Sequence, residues 1–334
     1  MRQQFIFALA VLLLMTLIPL VSLTEAKGQE TGGAPVMQRQ ETAPAEAAKA
    51  QPARAQPSKD DGETVQVVRS ASGQTETLAM REYLVGCVAA EMDAGNHPEA
   101  LMAQAVASYT YARYRREIAG KDTLSDSGRS DQGYEGPAQR KQRWGENYEL
   151  YEAKLEKAVD AVLGQSITYE GRPVFAAYSS LSGGKTESSG NYWGSDFAYL
   201  QSVDSPGDKL SPDYSRTVSF APGEIEKALE KFDGLKLGKD PADWFGAPER
   251  SDAGTVMAIP VGNKTLTGRE LREALELRSA NFTIALNKDG AFEIKCLGYG
   301  HGVGMSQYGA DFMARQGSGY REILEHYYTG CSVV

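Results

Sequence analysis

The sequence predicts an α+β protein, with mixed strands and helices in one large two-lobed unit behind an N-terminal transmembrane helix. Three observations lead to that reading. An uncharged apolar run covers Phe5–Leu23, long enough to cross a bilayer core of roughly 30 Å as a helix. A tract rich in Ala, Gln, Pro, Glu and Lys follows over 24–63 and holds no aromatic residue, so it cannot bury enough apolar surface to offset its ordering entropy. Beyond it, over 64–334, strand and helix patterns succeed one another without the regular alternation of βαβ units.

The expected organisation is therefore a cytoplasmic tip at 1–4, an anchor at 5–23, a linker at 24–63 and one globular unit at 64–334. Arg2 and the free amine precede the apolar run, whereas Glu25, Lys27 and Glu30 follow it. The positive-inside rule then leaves the globular part outside the cytoplasm. A cleaved signal peptide is the competing reading, with Pro19 and Thr24-Glu25-Ala26 as a loose processing end. Both readings export the rest of the chain.

Within the globular part, Val65–Arg69 alternates as a strand should, and Ser72-Gly73-Gln74 reads as the turn into a second strand at 75–78. The spacing predicts a helix over 80–92 with a stripe of Leu84, Cys87, Val88 and Glu91. Asn96 or His97 then caps a second helix, which has Pro98 and Glu99 in its first turn and Leu101, Ala105, Tyr109 and Ala112 along one face. A Gly/Ser/Asp loop fills 120–137, a helix runs over 148–163 to Gly164, and a hairpin covers 166–178 around Glu170-Gly171-Arg172. Helices are expected near 224–231, 268–277, 305–316 and 320–328, and strands at 282–286 and 292–296.

The chain carries 44 acidic and 35 basic side chains, a net charge of -9. That balance argues against a nucleic-acid partner. Its 17 Tyr outnumber 10 Phe and 3 Trp, and such polar-tipped rings suit sugar stacking as well as core packing. Three Cys exclude a disulfide scaffold, and three scattered His make a multi-His metal cluster improbable.

Chemistry concentrates in three segments. In Gly86-Cys-Val-Ala-Ala-Glu-Met92, Glu91 shares a helical face with Cys87 and Val88. A carboxyl desolvated there has its pKa raised, as a general acid near neutral pH requires. The alternative is a Glu at a helix end that reaches solvent or an Arg. In Tyr178-Ser-Ser-Leu-Ser-Gly-Gly-Lys-Thr-Glu187 the paired glycines let backbone N–H groups approach a ligand, unless the segment is a plain turn. In Gly298-Tyr-Gly-His-Gly-Val-Gly-Met-Ser-Gln-Tyr-Gly309 four alternating glycines put His301, Ser306 and Gln307 on a tight loop and helix start. There too a structural histidine is the competing reading.

Together with Tyr83–Met92, Glu99–Ala107 and Tyr192-Trp-Gly194, these segments resemble the stage II sporulation protein D family, in the family's order and from about Thr64 onward. The resemblance implies a lytic transglycosylase that cleaves septal peptidoglycan during forespore engulfment and prefers glycan strands stripped of stem peptides. It implies Glu91 as the catalytic acid, with Ser182, Gly183, Gly184, Lys185, Thr186, His301, Ser306, Gln307, Tyr308, Gln104 and Tyr109 as substrate-binding candidates. It further implies no cofactor, an amidase and a membrane partner of the engulfment machinery, and a place in the mother-cell membrane facing the septal space. The alternative function is a non-catalytic glycan-binding scaffold that recruits or stimulates the amidase.

Three departures from the family pattern stand out. Tyr109 occupies a position usually held by Arg, with Arg113 one turn on as a candidate replacement. Asp93 replaces the usual Pro after Glu-Met. The loop Ser125–Tyr134, which binds zinc in some members, has neither Cys nor His, so no zinc is expected, and Tyr134 and Trp144 are expected to help pack it. Cys87 is expected to be free and buried, and a Cys296–Cys331 bridge is the less favoured pairing.

Overall fold

The computed structural model describes residues 62–128 and 130–334. The expected transmembrane helix at 5–23, the tip and most of the linker lie outside the described residues. The predicted fold class is corrected on this point: what is described is a mixed α/β unit, and among the described residues no helix is long and apolar enough to cross a membrane.

The unit opens with β1 (Thr64–Val68) paired antiparallel to β2 (Thr75–Ala79) in the register Val65↔Leu78. Val65 and Val67 turn inward while Thr64 and Gln66 face solvent, the two-residue period of a half-buried strand. α1 (Met80–Glu91) starts directly at the end of β2, and α2 (Pro98–Glu117) follows after a short turn. His97 caps α2 by accepting the Glu99 N–H at Nδ1 (3.3 Å), with Pro98 in the first turn where its missing N–H costs nothing.

The expected single stripe on α2 is too narrow. Almost every position from Ala100 to Ala112 is buried, because α1, α4 (Tyr148–Val162), α8 (Gln307–Arg315) and α9 (Tyr320–Tyr327) all pack around it. A helix buried all round cannot show a clean apolar face. Its run of alanines keeps those neighbours close.

Between α2 and α4 lie β3 (Thr123–Ser125), parallel to β1, and α3 (Pro137–Trp144). The expected hairpin at 166–178 is shorter than the pattern implies: β4 (Ile167–Tyr169) pairs with β5 (Arg172–Pro173), and β14 (Ser332–Val333) closes on its other edge. β6 (Tyr178–Ser179) instead pairs in parallel with β13 (Met305–Ser306). The first two residues of the helix expected at 305–316 are thus a strand, because they complete that pairing before α8 begins.

A second core belongs to the segment between β6 and β13. After α5 (Ser189–Trp193) come β7 (Ser215–Phe220), α6 (Pro222–Leu229), β8 (Glu249–Arg250), β9 (Val256–Val261), β10 (Lys264–Leu266), α7 (Gly268–Ala274), β11 (Phe282–Leu286) and β12 (Phe292–Leu297). Ile225, Leu229, Trp244, Val256, Phe282, Phe292 and Ile294 form its interior, and Trp244 stacks on Phe292 at 5.5 Å. The chain leaves the first core after Tyr214 and returns at Gly298, whose N–H donates to the Tyr214 carbonyl at 2.8 Å. The second core is therefore an insertion with adjacent ends. Cys87 and Cys331 lie in the first core and Cys296 in the second, all three buried and unbridged.

Candidate active site around Glu91

Glu91 is the last residue of α1, and its side chain is half-buried. The loop at 125–136 crosses α1 at Gly86, where the Glu135 N–H donates to the Gly86 carbonyl at 3.1 Å. A Cβ on Gly86 would come within 2.2 Å of the Tyr134 ring, so this crossing requires glycine. The loop then brings the Gly133 N–H to Glu91 Oε1 at 2.6 Å. Glycine lets the loop come this close without moving the acid: a Cβ would stand 2.9 Å from that oxygen and 3.1 Å from the Ala90 methyl, and would push the carboxyl aside.

The loop has its own anchor. The Asp131 carboxylate, fully enclosed, accepts from Arg115 (2.6 Å), Lys121 (2.9 Å), the Tyr111 hydroxyl (3.1 Å) and the Ser125 N–H (2.8 Å). Tyr134 stacks on Tyr83 at 5.7 Å, with the Arg69 guanidinium 4.6 Å from the Tyr134 ring centre. Trp144, expected to help pack this loop, packs instead on Tyr148 and Tyr151.

Behind Glu91 runs a buried polar chain. The Tyr178 hydroxyl donates to Gln132 Oε1 (2.9 Å), and Gln132 Nε2 donates to the Tyr83 hydroxyl (2.9 Å) and the Ser108 carbonyl (3.1 Å). Gln104 Nε2 donates to Ser108 Oγ (3.1 Å), and Gln307 Nε2 donates to Gln104 Oε1 (3.2 Å). The Gln307 amide also bonds the Glu91 carboxyl. Burial pushes the Glu91 pKa above the usual carboxyl range, while the Gly133 and Gln307 donors pull the other way and leave a net rise. Glu91 also lines a cleft of about 430 Å³ that includes Met92, Asp93, Arg143 and Trp144.

Of the residues singled out from sequence, Gln104 and Gln307 join Glu91. The others are occupied elsewhere. Ser182 and Ser306 are buried and both bond to Asp208: Ser182 Oγ at 2.6 Å and its N–H at 2.8 Å, Ser306 Oγ at 2.7 Å. Thr186 is enclosed and accepts the Val203 N–H at 2.9 Å, while half-buried Lys185 pairs through its backbone with Asp204 in an isolated antiparallel β-bridge. Gly183 and Gly184 abut Asn281 and Lys209. The Tyr308 N–H donates to the Ser180 carbonyl at 3.0 Å.

His301 Nδ1 accepts the Val303 N–H at 3.0 Å, and its ring lies 5.1 Å from that of Trp193. Burial, reinforced by the Arg272 charge and offset in part by the Tyr178 backbone, lowers its pKa to about 4, so the imidazole is neutral near pH 7. The alternating glycines serve packing: the loop bridges Leu181 and Val303 bridges Glu187, and Gly304 (φ +74°) passes so close to the Ala177 carbonyl that no Cβ fits.

The Tyr109 hydroxyl donates to Glu63 Oε2 at 2.9 Å. Arg113 is taken up by Glu117 (2.7 Å) and Ser166 (2.8 Å), so it does not stand in at Glu91. Sequence reasoning passed over Gln132, Gly133 and Tyr178 as site residues. The signal available was glycine at 128 and 133 in a loop rich in Ser and Asp.

A half-buried acid at a helix end, clasped by a glycine loop and backed by a Tyr/Gln chain, defines a protein with a desolvated carboxyl at its candidate site. The stage II sporulation protein family model matches residues 69–169, which take in Glu91, Gln104 and the clasping loop. The chain is 36% identical to stage II sporulation protein D of Bacillus subtilis (strain 168), over 99% of this chain and 96% of that one. It is 38% identical to the protein of the same name from Bacillus amyloliquefaciens, over 82% and 80%. It is also 28% identical to the amidase enhancer of Bacillus subtilis (strain 168), over 75% of this chain and 40% of that protein. The chain belongs to the stage II sporulation protein D family.

Proposed function

We propose that the protein is a peptidoglycan lytic transglycosylase with Glu91 as its single acid–base residue, acting in the septal wall during forespore engulfment. The observation that carries this reading is the Glu91 carboxyl itself, raised in pKa, held at one oxygen by Gly133 and belonging to a residue that lines a cleft. Protonated Glu91 gives its proton to the glycosidic oxygen as the C1–O bond of the muramic residue breaks and an oxocarbenium-like centre forms. The carboxylate so produced takes the proton of the muramic C6 hydroxyl as that oxygen bonds C1, closing a 1,6-anhydro ring and restoring the acid. Because the nucleophile belongs to the substrate, its effective concentration is high without a second enzyme carboxylate. The Gly133 N–H and the Gln307 amide hold the carboxyl in place through both proton transfers.

The test is digestion of glycan strands stripped of stem peptides, with anhydro-muramic ends as the readout. Their appearance with the parent protein and absence with Glu91→Gln supports the reading. Their absence with both favours the second reading, a glycan-binding scaffold that stimulates an amidase, which the likeness to the amidase enhancer supports. Under that reading, added protein accelerates stem-peptide release by an amidase, and Glu91→Gln does so equally well.

A further inference from the structure

We propose that Trp144, together with Arg143, forms a sugar-stacking shelf beside Glu91 that takes the neutral N-acetylglucosamine ring on the leaving-group side of the scissile bond. This rests on the reading of Glu91 as the glycan-cleaving acid. Trp144 ends α3 and borders the same cleft as Glu91, Met92 and Asp93. It is half-buried, with Tyr151 edge-on at 5.7 Å and Tyr148 tilted at 6.3 Å, so its ring is held in one orientation before any ligand arrives. A ring fixed in advance loses little freedom on binding, and its flat apolar surface matches the C–H face of a hexose.

Arg143 fixes the spacing between shelf and acid. Its guanidinium lies 5.0 Å from the Trp144 ring centre, donates to the Ala89 carbonyl at 2.6 Å and pairs with Glu135 at 2.9 Å. Ala89 lies in the same last turn of α1 as Glu91, so one side chain ties the indole to the helix end that carries the acid. Arg143 and Trp144 lie outside the motif that carries Glu91, and the fold brings them to it.

Charge selects which sugar it takes. The strand alternates neutral N-acetylglucosamine with carboxylate-bearing N-acetylmuramic acid. Arg143 is the cation among the side chains that line the cleft, and its charge is taken up by Glu135, while Asp93 adds an exposed carboxylate. A cleft with no unpaired cation offers nothing to an anionic ring and accepts a neutral one. In the reaction above, the muramic C1 is the electrophile, so the departing sugar is N-acetylglucosamine.

The experiment uses Glu91→Gln protein, which does not turn over, titrated calorimetrically with tetra-N-acetylchitotetraose. We expect Trp144→Ala in that background to raise Kd on the order of tenfold, and Trp144→Phe to restore most of the affinity. Melting temperatures confirm that each variant is folded. Equal affinity of the Ala variant and its parent, no binding by the parent, or a Phe variant as weak as Ala overturns the shelf. A parallel arm follows anhydro-muramic ends with otherwise unaltered protein. Shelf-dependent binding without cleavage removes the transglycosylase reading and leaves the shelf; cleavage with KM unchanged by Trp144→Ala does the reverse.

Discussion

Two carboxyls in this protein, Glu91 and Asp208, share a raised pKa with burial as its leading cause, yet they do opposite things. Asp208 is completely enclosed and saturated by Ser182, Ser306 and Ser205, which pin together three stretches of chain distant in sequence. Glu91 accepts from Gly133 and Gln307, is only half-buried, and lines a cleft. A raised pKa alone therefore does not mark a catalytic acid. The mark is desolvation combined with unfilled acceptor capacity facing a space that a substrate can enter.

The largest expected effect tests the open carboxyl. Glu91→Gln should lower the release of anhydro-muramic ends by a factor on the order of 10²–10⁴ while binding to stripped glycan persists, as single-turnover digestion and a pull-down on glycan would show. The enclosed carboxyl should answer differently. Asp208→Ala strands the Ser182 and Ser306 hydroxyls and the Ser182 N–H, and should cost about 3 kcal/mol in urea unfolding. Cleavage per folded molecule should stay near the parent value. Loss of cleavage without loss of stability would make Asp208 part of the site and dissolve the contrast.

A smaller effect is expected at the clasp. Gly133→Ala puts a methyl 2.9 Å from Glu91 Oε1, so kcat/KM should fall roughly tenfold from misplacement of the acid, with little change in melting temperature. The pH dependence of stability sharpens the comparison further. Because the folded protein holds the Glu91 proton to higher pH than the unfolded chain does, stability falls as pH rises from 4.5, its ordinary value, through its raised pKa. Glu91→Gln should therefore melt higher than the parent at neutral pH, and the gap should close toward pH 4.

The smallest effect belongs to His301, whose pKa drops from 6.5 to about 4 on folding. The unfolded chain binds that proton first, so the parent loses stability as pH falls through this window. His301→Gln should flatten that part of the stability curve while leaving glycan cleavage intact. A change in the pH–rate profile instead would return His301 to the active site.

The α1 stripe was legible because it is local: Leu84, Cys87, Val88 and Glu91 recur at helical spacing, and a carboxyl at the end of such a stripe must sit beside apolar neighbours. The caps of α2 and the β1–β2 turn were legible for the same reason. Ser182, Ser306 and the alternating glycines were equally visible, but their hydroxyls and their missing Cβ atoms meet partners far along the chain. No local pattern announces Asp208, because a lone Asp between Gly207 and Lys209 reads as a solvated turn residue until the fold encloses it.

By itself, then, the sequence determined the helical placement of Glu91, the family to which the chain belongs, and most elements of the first core. These follow from periodicity, capping and short motifs, all of which act over a few residues. Only the tertiary structure decided which polar residues surround Glu91, since Gln132 with Gly133, Tyr178 and Gln307 come from three separate segments. It also decided that the hydroxyls of the two most suggestive motifs close on Asp208. The strength of a carboxyl as an acid depends on what surrounds it in space, and contacts between distant segments set those surroundings.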